Sequence, residues 1–249
     1  YGADGVNKAF EFDGTNYVPI RTGMTADTPL HIIEHRGQLW LSFLASAQAS
    51  GTLNPYAWSV VVGAAEIAVG ETIVGFQQQA GDATGPALSI FTDNTVHFFY
   101  GIPGVAGAQL VPGFDDTGYL QDTIQTVGND SWGLTSRGVQ SLRSTRSYGN
   151  FEFGAISFPV QTLLNAKRGL SVSSVVNKSN SDYRLFFTDG TGIVIGLTGN
   201  KVSGILPLNY GLRVPRWFAS DTLATGEEVT YFGSDDGMVY KDNTGTSFD

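Results

Sequence analysis

The chain has 249 residues and a formal charge of −9, from 14 basic and 23 acidic residues, with no cysteine. Without cysteine it has no disulfide framework, thiolate metal site or cysteine nucleophile. Its acidity argues against gripping a nucleic-acid backbone by charge neutralisation, while an acidic lining that lets DNA slide past stays compatible. Thirty-two glycines, against a usual share of about 7%, accompany 16 Phe, 10 Tyr and 4 Trp. Many short aromatic strands joined by many turns is the composition of an all-β propeller, barrel or sandwich.

Residues 8–20 (KAFEFDGTNYVPI) read as a hairpin with Asp13-Gly14 at its turn, the closing half of a larger unit. After a connector, 31–43 (HIIEHRGQLWLSF) supplies two strands around Arg36-Gly37, with Leu39, Leu41 and Phe43 alternating against Trp40 and Ser42. Residues 44–56 read as a small-residue loop and 57–63 (AWSVVVG) as the next strand. The apolar region 57–76 contains Glu66, Glu71 and several glycines, so no membrane span is expected there. IVGFQQQ at 73–79 opens another unit. The run 87–101 (ALSIFTDNTVHFFYG) is then strand, Asp93-Asn94 turn and strand.

The Gly- and Pro-rich stretch 101–118 reads as a long loop and a contact element, so that deleting 103–113 is expected to spare folding. Residues 122–144 give a strand, a turn and a hairpin around Arg137-Gly138, and 150–158 (NFEFGAISF) a further strand. A helix of two to three turns is expected only at 160–169 (VQTLLNAKRG), with an irregular strand connection as the alternative there. Strand, turn, hairpin, turn and strand follow over 171–208, and a last hairpin at 229–240. Turn centres near 37, 93, 137, 189 and 236 recur about every 50 residues, the length of one four-stranded propeller blade. The expected fold is all-β and β-propeller-like, with roughly five blade equivalents of short antiparallel strands in a single domain over 1–249.

Candidate chemistry is sparse. Asp13, Asp93, Asp189 and Asp236 sit at equivalent turns, where a carboxylate bonds its own backbone. Asp115-Asp116 and Ser234-Asp235-Asp236 offer oxygens but lack the ligand spacing of a calcium loop. Glu66, Glu71, Glu152, Glu227 and Glu228 include no pair marked out for glycoside hydrolysis. His31, His35 and His97 lack zinc-site spacing, and no GxSxG, GxGxxG or phosphate-binding loop occurs. Arg137, Arg143, Arg146 and Lys167-Arg168 are the clustered bases. Trp132, Trp217 and Phe218 read as packing residues rather than ligand platforms. No catalytic, cofactor-binding or metal residue is assigned.

IVGFQQ with LSIFTDNTVHFFYG, GLTSRGVQSL, NFEFGAIS and the terminal GMVYKDNTGTSFD resemble the repeating pattern in propeller domains of tailed-bacteriophage tail proteins, especially nozzle or tail tubular proteins. The resemblance implies a non-enzymatic structural component of the virion, assembled in the host cytoplasm and needing no cofactor. It would pack in an oligomeric ring with copies of itself and neighbouring tail proteins. Double-stranded DNA would pass through that assembly during ejection. A chain that opens on Tyr1 and enters a strand pattern at once is expected to be a segment of a longer virion protein. The alternative expectation is a propeller that binds or cleaves glycans on a host surface.

Overall fold

The Asp-, Asn- and Gly-centred turns close antiparallel hairpins, and among the described residues the hairpins join into six small sheets, each built from consecutive strands. A computed structural model describes residues 1–82, 85–148, 154–199, 201–211 and 213–242. The fold is all-β and propeller-like: its larger sheets are four-stranded and run up and down in chain order. The chain divides into two compact units, Tyr1–Gln121 and Asp122–Asp249.

In the first unit, β1 (Phe10–Phe12) and β2 (Tyr17–Pro19) form a two-stranded sheet. The strands β3 (Ile32–His35), β4 (Gln38–Phe43), β5 (Ser46–Ala49) and β6 (Ala65–Ala68) form a four-stranded one. A second follows from β7 (Ile73–Asp82), β8 (Gly85–Thr92), β9 (Val96–Tyr100) and β10 (Gln109–Phe114). The alternation in β4 divides its side chains between two cores. Leu39 and Leu41 join Ala9 and Ile20, whereas Trp40 packs with Ala47, Ala49, Ile73, Phe76, Leu88, Ile90 and Phe99. Ala49 lies directly across from Trp40, and the small side chains of β5 leave room for the indole, whose ring meets Phe99 at 5.0 Å.

In the second unit, β11 (Gln125–Val127), β12 (Asp130–Thr135) and β13 (Gly138–Ser141) make a three-stranded sheet. Four strands follow: β14 (Ser171–Asn177), β15 (Asp182–Phe187), β16 (Thr191–Thr198) and β17 (Lys201–Asn209). A last three-stranded sheet consists of β18 (Pro215–Thr222), β19 (Glu228–Ser234) and β20 (Val239–Lys241). Phe186 stacks on Phe218 at 4.5 Å, Phe218 meets Phe232 at a tilt at 5.6 Å, and Tyr210 closes edge-on upon both Phe186 and Phe232.

Several sequence expectations change. The 44–56 loop contains β5, whose Ser, Ala and Gln are poor strand formers placed by packing under Trp40. The expected strand at 57–63 is instead a 3-10 turn at Val60–Val62, and the strand lies later, at β6. The 101–118 loop contains β10, so deleting 103–113 would strip most of the fourth strand from its sheet. Pro112 is tolerated there because β10 is an edge strand, with a bulge between Pro112 and Phe114.

Of the strand expected at 150–158, residues 150–153 lie outside the described residues. The remainder is not a strand: the Ile156 amide donates to the Val139 carbonyl, and a 3-10 turn runs over Phe158–Val160. The expected helix is present as Gln161–Lys167, preceded by an unforeseen one at Leu142–Tyr148; these are α2 and α1 in chain order. The turn at Arg36-Gly37 joins the first two strands of its sheet, whereas each of the other repeat turns joins the second strand to the third. The equivalent turn is at Leu44-Ala45, a few residues later.

Candidate interaction surface

The second unit carries a cleft of about 480 Å³ between the β11–β12 turn, the start of α1 and the β16–β17 turn. Gly128 and Gly199 adopt positive φ at the two turns, which lets the chain reverse tightly around the opening. Trp132, Asn129, Asp130 and Arg143 line it, with Ile156, Leu197 and Val202 as apolar wall. Asp130 Oδ1 accepts the amides of Ser131 (2.9 Å) and Arg143 (3.3 Å), tying the turn to the helix. The Trp132 ring is buried 6.0 Å from that of Tyr183, whose hydroxyl donates to the Thr123 carbonyl at 2.7 Å. Arg143 is exposed, and among the described residues its guanidinium makes no ion pair.

Beside the cleft runs β17, nine residues long and, among the described residues, paired on one side only, to β16. Val202 and Leu206 are exposed on it, so an unpaired backbone edge and apolar side chains share one surface. The structure therefore joins Trp132 with Arg143, two candidates that the sequence offers under separate headings. The edge itself has no short sequence signal, because an outer strand and an inner strand of an all-β chain share the same composition.

Most of the remaining candidates are held by structural partners. Asp13 Oδ1 accepts the amides of Thr15 and Asn16, and the Asn16 amide leads in holding its pKa at about 2. Asp189 accepts from Lys167 Nζ at 2.6 Å, from the Thr191 hydroxyl at 2.6 Å and from the Thr191 amide at 3.1 Å. Asp236 accepts the Met238 amide and the Tyr240 hydroxyl. The Asp93 turn departs from the expectation. Its amides are taken by the Thr92 hydroxyl oxygen, which accepts from Thr95 at 2.8 Å and from Asn94 at 3.3 Å.

Glu66 accepts from Ser46, Glu71 from the hydroxyls of Thr92 and Thr95, and Glu227 pairs with Lys241. Burial alone would raise Glu228, but the amides of Ser179 and Lys178 and the Ser220 hydroxyl outweigh it and hold the carboxyl at about 2. Glu152 lies outside the described residues. Asp115 offers its carbonyl to the Thr117 hydroxyl, Asp116 adopts positive φ, and Asp235 forms a two-point pair with Arg216. No three His, Asp or Glu side chains among the described residues gather at metal-binding separations.

His31 bonds Ser42 Oγ through Nδ1 at 2.9 Å and His35 is buried against Trp40; burial lowers both, His31 to about 4. His97 Nδ1 lies 3.3 Å from the Thr95 hydroxyl. Of the basic cluster, Arg143 and Arg146 are exposed on α1. Lys167 is engaged with Asp189, Arg168 donates to Asn165, and the Arg137 carbonyl accepts from Gln161. Phe218 packs as expected, but Trp217 does not: it is 65% exposed on the solvent side of β18.

No family model matches the chain, and no curated protein matches it. Solved structures share its fold at low identity. The extracellular domain of a putative hybrid two-component system from B. thetaiotaomicron is similar at TM-score 0.58 and 14% identity, over 97% of this chain and 30% of that one. Chaetomium thermophilum Raptor is similar at TM-score 0.54 and 10% identity, over 86% of this chain and 19% of Raptor. The chain thus spans less than a third of the length of either neighbour, and at these identities the likeness is one of fold. Among the described residues, no helix is long and apolar enough to cross a membrane.

Proposed function

We propose that this chain is a non-enzymatic structural component of a bacteriophage tail, of nozzle or tail tubular type. It packs in an oligomeric ring with copies of itself and with neighbouring tail proteins, and the assembly passes DNA during ejection. The support is the motif resemblance, of which IVGFQQ, LSIFTDNTVHFFYG, GLTSRGVQSL and the VYK of the last motif fall on β7, β8, β9, β12, β13 and β20, together with a fold made of repeated small sheets. The observation that carries the packing role is the edge of β17, unpaired among the described residues and exposing Val202 and Leu206, beside the Arg143 guanidinium, which has no ion pair among them. In a chain of charge −9, an unpaired arginine next to an open strand edge is suited to an acidic surface on a neighbouring copy.

The test is incorporation of Leu206→Asp and Arg143→Glu variants into tail particles, alongside their sedimentation alone. Each variant is expected to stay folded and lose at least about tenfold in assembly, as 1.4 kcal/mol at an interface produces. Particles that take up both variants at wild-type levels would overturn the role.

The second reading, a glycan-binding propeller, is favoured by one feature: Trp132, Asn129, Asp130 and Arg143 converge on a single cleft. Saturable binding on a sugar array, abolished by Asn129→Ala, would support it over the scaffold.

A further inference from the structure

The connection between β5 and β6 ends in an exposed apolar tip. Val60 is 82% exposed, Val61 94% and Val62 52%, and Leu53 in the same connection is 84% exposed. This is not the display of a loose loop. Trp58 packs against the core of Ala9, Ile20, Leu39 and Leu41, and its Nε1 donates to the Pro55 carbonyl at 2.9 Å. The core position in this segment thus goes to Trp58, and the three valines that follow are turned outward. β-Branched residues are stiff and favour strands, so three of them on a solvated 3-10 turn contradict local preference, as sequences do at functional places.

Two features select the partner. From Gly37 through Ala65 the chain carries no Asp, Glu, Lys, Arg or His, although the protein as a whole has charge −9. The tip also bonds part of its own backbone: the Val62 and Ala64 amides donate to the Ser59 carbonyl at 3.0 and 3.3 Å, and the Gly63 amide to the Val60 carbonyl at 3.1 Å. An uncharged apolar tip with three of its amides bonded internally suits the boundary between headgroups and acyl chains, where the remaining amides can still meet water. It is also narrow. Four side chains offer roughly 400 Å², whereas a standard protein interface takes roughly 800 Å² per partner. The charged boundary is near: the Tyr56 hydroxyl donates to Glu11 at 2.6 Å.

We infer that the Val60–Val62 tip docks on a phospholipid bilayer surface, inserting the valines at the level of the acyl chains without spanning the membrane. The test is flotation of the protein with phosphatidylcholine vesicles, and with the same vesicles containing phosphatidylglycerol. The expected result is co-flotation with neutral vesicles that survives a rise in salt, and weaker association with anionic ones because of the net negative charge. The double variant V60D/V61D should lose at least about tenfold in binding, and the near-isosteric Val61→Thr a smaller part. Because these side chains are exposed, unchanged circular dichroism will identify folded variants. Protein that stays at the bottom of the gradient, or a double variant that floats like the wild type, would overturn the inference. So would vesicle-free self-association that the double variant abolishes, since the tip would then belong to an interface between copies.

Discussion

Arg184 on β15 donates through Nη1 to Asp242 Oδ2 at 2.6 Å, beyond the end of β20, joining two sheets of the second unit. The same guanidinium grips Asp182 through Nε and Nη2 at 2.9 and 3.0 Å, and Tyr210 donates its hydroxyl to Asp242 Oδ1 at 2.8 Å. All three charged side chains are buried, so each depends on the others for the solvation it has lost. Asp242→Ala is expected to destabilise the second unit by about 3–5 kcal/mol, because it strands a buried guanidinium. Tyr210→Phe removes one bond and should cost about 1–2 kcal/mol. Urea titration followed by tryptophan fluorescence measures both; equal and small losses would refute the network's role.

In the first unit, His31 and His35 are held neutral. Burial puts the His31 pKa at about 4, below its ordinary value of 6.5, and lowers His35 as well. A histidine depressed in the folded state binds its proton more readily when unfolded. Its stabilising effect is complete above about pH 6.5 and is lost as pH falls toward 4. The midpoint of the first unit should fall across that window, and His31→Gln should flatten the slope. A midpoint that stays level between pH 6.5 and 4 would refute this.

Thr92 closes the β8–β9 turn and also donates its hydroxyl to Glu71 at 2.7 Å. That bond is the leading cause of the lowered Glu71 pKa, with Thr95 second. Thr92→Val should raise the Glu71 pKa toward the ordinary carboxylate value and cost about 1–3 kcal/mol through the unbonded turn amides. A carboxyl-carbon NMR titration reports the first effect and thermal unfolding the second.

Gly118 passes directly over the Asp93 carbonyl, and a Cβ there would overlap backbone atoms of Asp93. Its neighbour Tyr119 donates its amide to the Thr92 carbonyl at 3.1 Å, so the segment cannot withdraw without losing that bond. Gly118→Ala is expected to cost about 2–4 kcal/mol, with amide shifts centred on 92–95 and 117–119. An unperturbed spectrum would show that the contact is dispensable.

The chain's legibility varied with how local the controlling physics was. Asp-Gly and Arg-Gly turns were readable because positive φ and a short acceptor side chain act within four residues. The β14–β17 series was readable because its apolar alternation and polar turns agree. β5 was not, since Ser46–Ala49 becomes a strand only where Trp40 needs small neighbours. β10 hid behind Pro112 and Gly113, which an edge strand accepts and an inner one would reject. The cleft was invisible for a related reason: Trp132 and Arg143 meet only through the placement of α1 against the β11–β12 turn.

By itself, the sequence determined the all-β class, the repeat of about 50 residues and most of the turns, because composition, alternation and turn chemistry are properties of neighbouring residues. Tertiary structure alone decided that Thr92 rather than Asp93 takes the amides of the β8–β9 turn and that Glu228 braces the start of the β14–β15 turn. It also decided that Trp217 faces solvent and that Val60–Val62 stand outward while Trp58 takes the core. Those outcomes depend on which sheet lies opposite each side chain, and burial is set by that neighbour rather than by the residue's own hydrophobicity.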